Sequence, residues 1–439
     1  MSKTYQRKRR RVEIASPDAL PVSVPEQVVV SMVEIAESAK EGLLALSVGV
    51  GLQVMASIME EDVTTACGTR SKHNPGRAGY RHSTEAGSVT LGGRRVPVQR
   101  PRVRAVDGSG ELALPSYQLF SATDMLGEMA MERMLAGLST RRYSAGLEPV
   151  GEAVGAEARS TSKSAVSRRF VKATETALAE LMGRRLDELD LVAIMVDGVH
   201  FGEHTCVVAL GIDIDGVKHP LALQEGATEN ARVVTDLIVG LRERGLDVTR
   251  PILAVIDGAK ALAKAIKDVF DQPVIHRCQL HKIRNVEAKL PKRLREVVAK
   301  RMRAAYRADT ALTGESLLRE LAAELDQTHP GAAASLREGL TETLTVLRLA
   351  VPPTLARTLR STNAIESMIS ICRDHSENVK RWRDATMALR WCAAGMDEAT
   401  NQFRRVNGHL HLRKLRDTLD AQVADTVSAT CQDEDQKVA

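Results

Sequence analysis

Between Leu191 and Leu280 the chain leaves little freedom of fold, because apolar runs, turns and helical patterns follow one another in a fixed order. Leu191–Val196 is continuously apolar, as a strand covered on both faces must be. Cys206–Ile212 is a second such run. Asp215-Gly216 signals a two-residue turn, and Lys218–Leu223 reads as a third strand. The pattern then predicts a helix from about Asn230 to Arg244, a strand at Pro251–Ile256, a helix over Gly258–Phe270 and a short strand at Val274-Ile275. Three strands joined by hairpins, followed by helix–strand alternation, point to one mixed five-stranded sheet.

The order β-β-β-α-β-α-β is that of an RNase H-like domain, so an α/β fold is expected over residues 186–420. An all-α insertion is expected at about 282–350, where Pro291, Gly314 and Pro330-Gly331 divide a long helical stretch. Further helices are expected to begin at Ser361 and Met387. With 439 residues the chain has room for two or three domains.

The front half reads differently. Residues 1–25 carry the run Arg7–Arg11 and three prolines and suggest a disordered basic tail; 421–439 suggest another, acidic at Asp433–Asp435. Within a region spanning 26–115, one or two helices are expected from Gln27 to about Glu61. An arginine-rich hairpin follows, with Ser88–Leu91 and Val96–Val98 as strand segments and Gly92-Gly93 between them. Residues 116–185 return to helical spacing. Arg141–Ala158, the Ser160–Ser164 cluster and Ala165–Leu181 are expected to form a helix-turn-helix capped by Ser162 or Ser164.

The net charge is only +5, but residues 70–104 hold nine Lys and Arg against the single acid Glu85. That imbalance suggests a polyanionic partner. Candidate DNA contacts are Arg81, Arg100, Arg102, Arg104, Lys163, Arg168 and Arg169. An aromatic fraction of 3% argues against a protein that works by stacking single-stranded bases. Six scattered cysteines without a C-x-x-C pair suit a reducing compartment, and the apolar stretch Gly42–Ile58 is too short to span a bilayer. A cytoplasmic protein, acting at the nucleoid and not at a membrane, is expected.

Three acids carry the candidate chemistry. Asp197 follows the first strand and Asp257 the fourth, each before a glycine that lets the backbone turn. If those strands are neighbours, about 4.8 Å apart, the carboxylates can converge. Close carboxylates repel unless a cation lies between them, and hard oxygen donors select Mg²⁺ or Mn²⁺. Glu366 is the expected third acid, in the first turn of a helix that Ser361, Thr362 or Asn363 can cap.

The sequence resembles the mutator-type transposases of bacterial insertion sequences. The resemblance rests on Asp197-Gly198-Val199-His200-Phe201, Asp257-Gly258-Ala259-Lys260, Arg277–Asn285 and Ser361–Glu366, with Tyr80-Arg81-His82 and Arg100–Arg104 in support. It implies a DDE transposase with Asp197, Asp257 and Glu366 as catalytic residues and ligands of two metal ions. The 109 positions from Asp257 to Glu366 would hold the helical insertion. Such an enzyme binds double-stranded DNA at terminal inverted repeats and at a target, cuts 3′ ends and transfers strands, and the resemblance allows His200, His281, Lys282, Arg284 and Asn285 to touch DNA phosphate. Synapsis of two ends implies a dimer or higher oligomer. The late Asn401-Gln402-Phe403-Arg404 departs from the family's late Trp. The acids alone also fit an RNase H-like nuclease without strand transfer, or a DNA-binding regulator that keeps them for folding. Cys278 and His281, in C-x-x-H spacing with His276 nearby, fit either part of a zinc site or a buried Cys beside a helix-start His.

Overall fold

The computed structural model describes residues 26–147, 150, 152–228 and 230–422, with the backbone alone for 26–45, 47, 152 and 153. Arg7–Arg11 and Asp433–Asp435 lie outside the described residues. The chain forms two compact units: residues to Leu126 with Arg141–Val166, and Gly127–Thr140 with Ser167 onward. Among the described residues no helix is long and apolar enough to cross a membrane.

In the first unit a single helix runs over Glu26–Cys67. Strands β1 (Gly79–Leu91) and β2 (Arg94–Ala105) pair antiparallel along their length, and β3 (Glu111–Leu112) adds to β2. Gly92 and Gly93 both take positive φ, 54° and 78°, which gives the turn the twist a tight hairpin needs. The hairpin is longer than the apolar pattern suggested, because Gln99, Arg100, Pro101 and Arg102 separate Val98 from Val103 along β2. Val63 of the long helix packs with Val103 and Leu114 as the local core.

The helix predicted over Arg141–Ala158 does not form as one element. The described residues there hold a 3₁₀ turn, Ser144–Gly146, and a six-residue helix, Glu152–Glu157. Gly146, Pro149 and Gly151 fall inside the predicted span and disfavour a continuous helix. The second predicted helix forms as Lys163–Gly183, and Ser162 Oγ accepts the Ala165 N–H at 3.3 Å.

The second unit is a mixed α/β structure built on a five-stranded sheet ordered β6-β5-β4-β7-β8. The strands are β4 (Leu191–Phe201), β5 (His204–Asp213), β6 (Lys218–Glu225), β7 (Ile252–Ile256) and β8 (Pro273–Arg277). The β4–β5 and β5–β6 pairs are antiparallel, whereas β7 lies parallel to both β4 and β8. β4 is therefore central, and its first six residues are all buried.

Each face of this sheet has its own helical cover. Ile194, Val196, Ala254 and Ile256 pack on one face with Val234, Leu237, Ile238 and Leu241 of helix Ala231–Glu243 and Leu262 and Ile266 of helix Lys260–Val269. On the other, Met195, Val199, Phe201 and Val255 meet Ile365, Met368 and Ile369 of helix Asn363–Ser376 and Cys392 and Met396 of helix Ala385–Gln402. The helices between β8 and the Glu366 helix build a third core from Ile283, Val286, Met302, Leu318, Leu321 and Leu336. At about 25 cal/mol per Å² of buried apolar surface, burials of this kind dominate the stability of the unit.

Candidate active site

β4 does not end at Val196, as the apolar run suggested, but continues to Phe201. Asp197 therefore lies inside a strand. Its parallel partner β7 ends at Ile256, and the last parallel rung joins Met195 to Val255. Asp197 and Asp257 each stand two residues beyond that rung, at the same edge of two neighbouring strands. Asp257 Oδ1 accepts the Ala259 N–H at 2.9 Å in a local turn. Gly258 between them has φ +109°, which an L side chain rarely adopts, so the turn after β7 depends on that glycine.

The third acid arrives from the helical cover. Glu366 lies in the first turn of helix Asn363–Ser376, beside the end with free backbone N–H groups. Thr362 occupies the N-cap, but its hydroxyl does not cap the backbone. Instead it donates to Glu366 Oε1 at 2.6 Å.

Asp257 and Glu366 lie near enough to Asp197 for their charges to act on it, but among the described residues the three carboxylates do not form a group whose ligand atoms lie within 4.8 Å of one another. Burial pushes the Asp197 carboxyl above its ordinary pKa, against the opposing Gly198 N–H bond of 2.8 Å, and the charges of Asp257 and Glu366 push it the same way. His281 lowers it in part. The Asp197 carboxylate is thus disfavoured where it lies, and carboxylate oxygens are the donors a hard divalent cation takes.

Cys278 and His281 join this cluster from behind. The Cys278 N–H bonds the carbonyl of Ile256 at 2.7 Å, and the Gln279 N–H bonds that of Arg360 at 3.0 Å. One short segment thus ties the end of β7 to the start of the Glu366 helix. Cys278 Sγ accepts from the Thr362 N–H and hydroxyl, each at 3.5 Å. His281 Nδ1 lies 3.4 Å from the Thr362 hydroxyl, and Nε2 lies 3.9 Å from Glu366 Oε1. Burial raises the Cys278 thiol pKa, but bonds to His281 and Thr362 outweigh it and the net direction is down. His281 is raised, chiefly by Cys278, with burial opposing and the charges of Glu366 and Asp197 helping. Ligand atoms of Cys278, His281 and Glu366 lie within 4.8 Å of one another. His276, the expected third partner of Cys278 and His281, is fully buried on β8 and stands outside that group.

The predicted DNA-contacting residues divide. Arg81 is occupied inside the first unit, paired with Glu60 and bonded to Thr64 Oγ1 at 2.9 Å. Arg100 pairs with Glu85 at 2.6 Å, and Arg102 with Glu111 at 2.7 Å. Lys282 departs furthest from the expectation. It is 3% exposed, and its ammonium donates to the carbonyls of Ser335 at 2.8 Å and Glu338 at 2.5 Å. It braces the helical insertion and is not presented to solvent. Arg104, Lys163, Arg168, Arg284 and Asn285 are exposed, whereas Arg169 is half-buried. His200 is exposed near the end of β4, bonded to Thr205 Oγ1 at 2.9 Å.

The second unit is thus a mixed α/β structure with an aspartate on its central strand, another just after the neighbouring strand and a glutamate in the first turn of a covering helix. Comparison with known proteins identifies the family. Residues 26–406 match the family described as Transposase, Mutator family, and the chain belongs to that family. It is 29% identical to the transposase for insertion sequence element IS6120 of Mycolicibacterium smegmatis, over 62% of this chain and 84% of that one. It is 25% identical to the transposase for ISRM5 of Rhizobium meliloti, over 83% and 90%. It is 27% identical to the transposase for IS256 in transposon Tn4001 of Staphylococcus aureus, over 60% and 67%.

Proposed function

We propose that this protein is an insertion-sequence transposase of DDE type with an RNase H-like catalytic domain. It binds the terminal inverted repeats of its element, frees a 3′-hydroxyl at each end and joins that hydroxyl to target DNA. The observation that carries the reading is that Asp257 and Glu366 lie near enough to the buried Asp197 carboxyl for their charges to add to burial in pushing its pKa up. The strand order and the helical insertion before Glu366 support the RNase H-like assignment.

Asp197, Asp257 and Glu366 would hold two Mg²⁺ or Mn²⁺ ions, and the donor set fits them because it is all carboxylate oxygen and the charges of Asp257 and Glu366 act on Asp197. Bound there, such ions lower the pKa of an attacking oxygen and stabilise the leaving one. Thr362 and His281 orient the Glu366 carboxylate, and the turn at Gly258 orients Asp257. Water is the first nucleophile and the freed 3′-hydroxyl the second. Each displacement at phosphorus breaks one P–O bond and forms another, so no covalent protein–DNA intermediate is required. Two DNA ends must be held together, so two or more copies of the chain are expected in the active complex.

The test uses a duplex bearing the inverted repeat that flanks the gene. With Mg²⁺ the wild type should nick it at the repeat boundary, and with chelator it should not. Asp257→Ala should bind the duplex normally and leave it uncut. Cleavage by Asp257→Ala at the wild-type rate would overturn the assignment. Nicking without strand joining would favour a plain nuclease, and metal-independent binding alone a regulator.

A further inference from the structure

The connection between the Glu366 helix and helix Ala385–Gln402 has a composition the catalytic site does not use. It reads Glu377-Asn378-Val379-Lys380-Arg381-Trp382-Arg383-Asp384. Lys380, Arg381 and Arg383 are exposed. None of them lies within ion-pair distance of a carboxylate among the described residues, unlike Arg81, Arg100 and Arg102. Lys380 gives one bond, of 3.3 Å, to the Glu377 carbonyl. The nearest acid in the loop, Asp384, is committed to capping the next helix by accepting the Met387 N–H at 2.7 Å.

A basic surface loop is usually just a solvated one, but this loop is fastened. The Trp382 ring lies 4.9 Å from that of Phe201, tilted by 51°, and 6.2 Å from Trp391. Pairs of this geometry contribute about 0.5–1.5 kcal/mol beyond their buried area. Gly202, in the turn after β4, makes room for the indole: a Cβ there would stand 2.8 Å from Trp382 Cδ1. Two aromatic contacts and one glycine therefore hold the three cations against the far end of β4.

That strand end is related to the catalytic acids by simple geometry. Phe201 is four residues beyond Asp197, so both side chains leave the same face of the sheet. At about 3.3 Å per residue they are separated by about 13 Å along the strand. That is about four base-pair steps of duplex DNA, at about 3.4 Å per phosphate on one strand. We propose that Lys380, Arg381 and Arg383, seated by Trp382, clamp the backbone of the DNA about four base pairs from the scissile phosphate. His200, exposed on the same strand end, leaves the opposite face of the strand; Glu203 is the acid of the turn.

The proposal rests on the reading that Asp197 and its partners cut DNA, and its test separates the two. The full-length triple variant Lys380→Ala, Arg381→Ala, Arg383→Ala is compared with wild type on the inverted-repeat duplex. Affinity is measured across salt concentrations in Ca²⁺, and cleavage in Mg²⁺. Each lost phosphate contact makes the salt dependence shallower by about 0.9, so a drop of about 2–3 in slope is expected. Trp382→Leu, which removes no charge, should also make it shallower. Arg381→Lys with Arg383→Lys should retain the wild-type slope, and this variant guards against a folding defect. An unchanged slope in the triple variant, with its melting temperature intact, would overturn the clamp even if wild type cleaves normally. A wild type that binds but never cleaves would count against the catalytic reading and leave the slope comparison to judge the clamp.

Discussion

Thr362 Oγ1 donates to Glu366 Oε1 at 2.6 Å, although it stands at an N-cap, where a hydroxyl ordinarily accepts a backbone N–H. The same hydroxyl touches Cys278 Sγ and His281 Nδ1. A bond to a charged group contributes about 1.5–3 kcal/mol. Thr362→Val is therefore expected to slow cleavage about 10–100-fold at saturating Mg²⁺, while Thr362→Ser stays near wild type. Equal rates for the Val and Ser variants would mean that other contacts fix the glutamate.

Asp197 sits where stability and activity oppose each other. Its pKa is raised by burial and by two like charges, so the ionised form is disfavoured in the folded state at neutral pH. Asp197→Asn should raise the melting temperature of the metal-free protein while abolishing cleavage. Adding Mg²⁺ should raise the melting temperature of wild type and leave that of the variant unmoved. A variant that melts lower than wild type in chelator would contradict this account of the site.

Lys282 should matter for folding and not for DNA. Lys282→Met leaves the Ser335 and Glu338 carbonyls without their buried donor, at about 1–3 kcal/mol. Urea unfolding should register that loss. Duplex affinity, measured where the variant is fully folded, should not change.

The fully buried His276 gives a pH dependence whose sign is fixed. Burial pushes its pKa down from 6.5 to about 4. Between those values the unfolded chain binds a proton that the folded chain refuses. Its contribution to stability is thus complete above pH 6.5 and is lost as pH falls towards 4, by about 1.4 kcal/mol per pH unit. Unfolding free energies measured from pH 7 to pH 5 should fall more steeply for wild type than for His276→Leu.

The sheet was legible because burial on both faces writes itself as apolar runs, and each predicted strand of the second unit is present within a few residues. The extension of β4 past Asp197 was missed because Asp197-Gly198 reads as a strand end. The alternation of buried Val199, exposed His200 and buried Phe201 was the available signal. The pairing of Arg81 with Glu60 and the burial of Lys282 could not be read, since both depend on partners 21 and 53 or more positions away. From the sequence, Ser361, Thr362 or Asn363 can each cap the helix backbone. Only the meeting of three distant segments shows that Glu366 takes the Thr362 hydroxyl instead.

The helical layer between β8 and Glu366 also has a consequence in time. Asp197 on β4 and Asp257 just after β7 are made early, whereas Glu366 follows 109 positions after Asp257. At about 5–20 residues per second, a ribosome needs on the order of 5–20 seconds to bridge that gap. Throughout that interval a nascent chain emerging over its own gene carries an incomplete set of carboxylates. If the three acids act together as proposed, newly made protein cannot cut nearby DNA until nearly all of the polypeptide through Glu366 has been synthesised and packed.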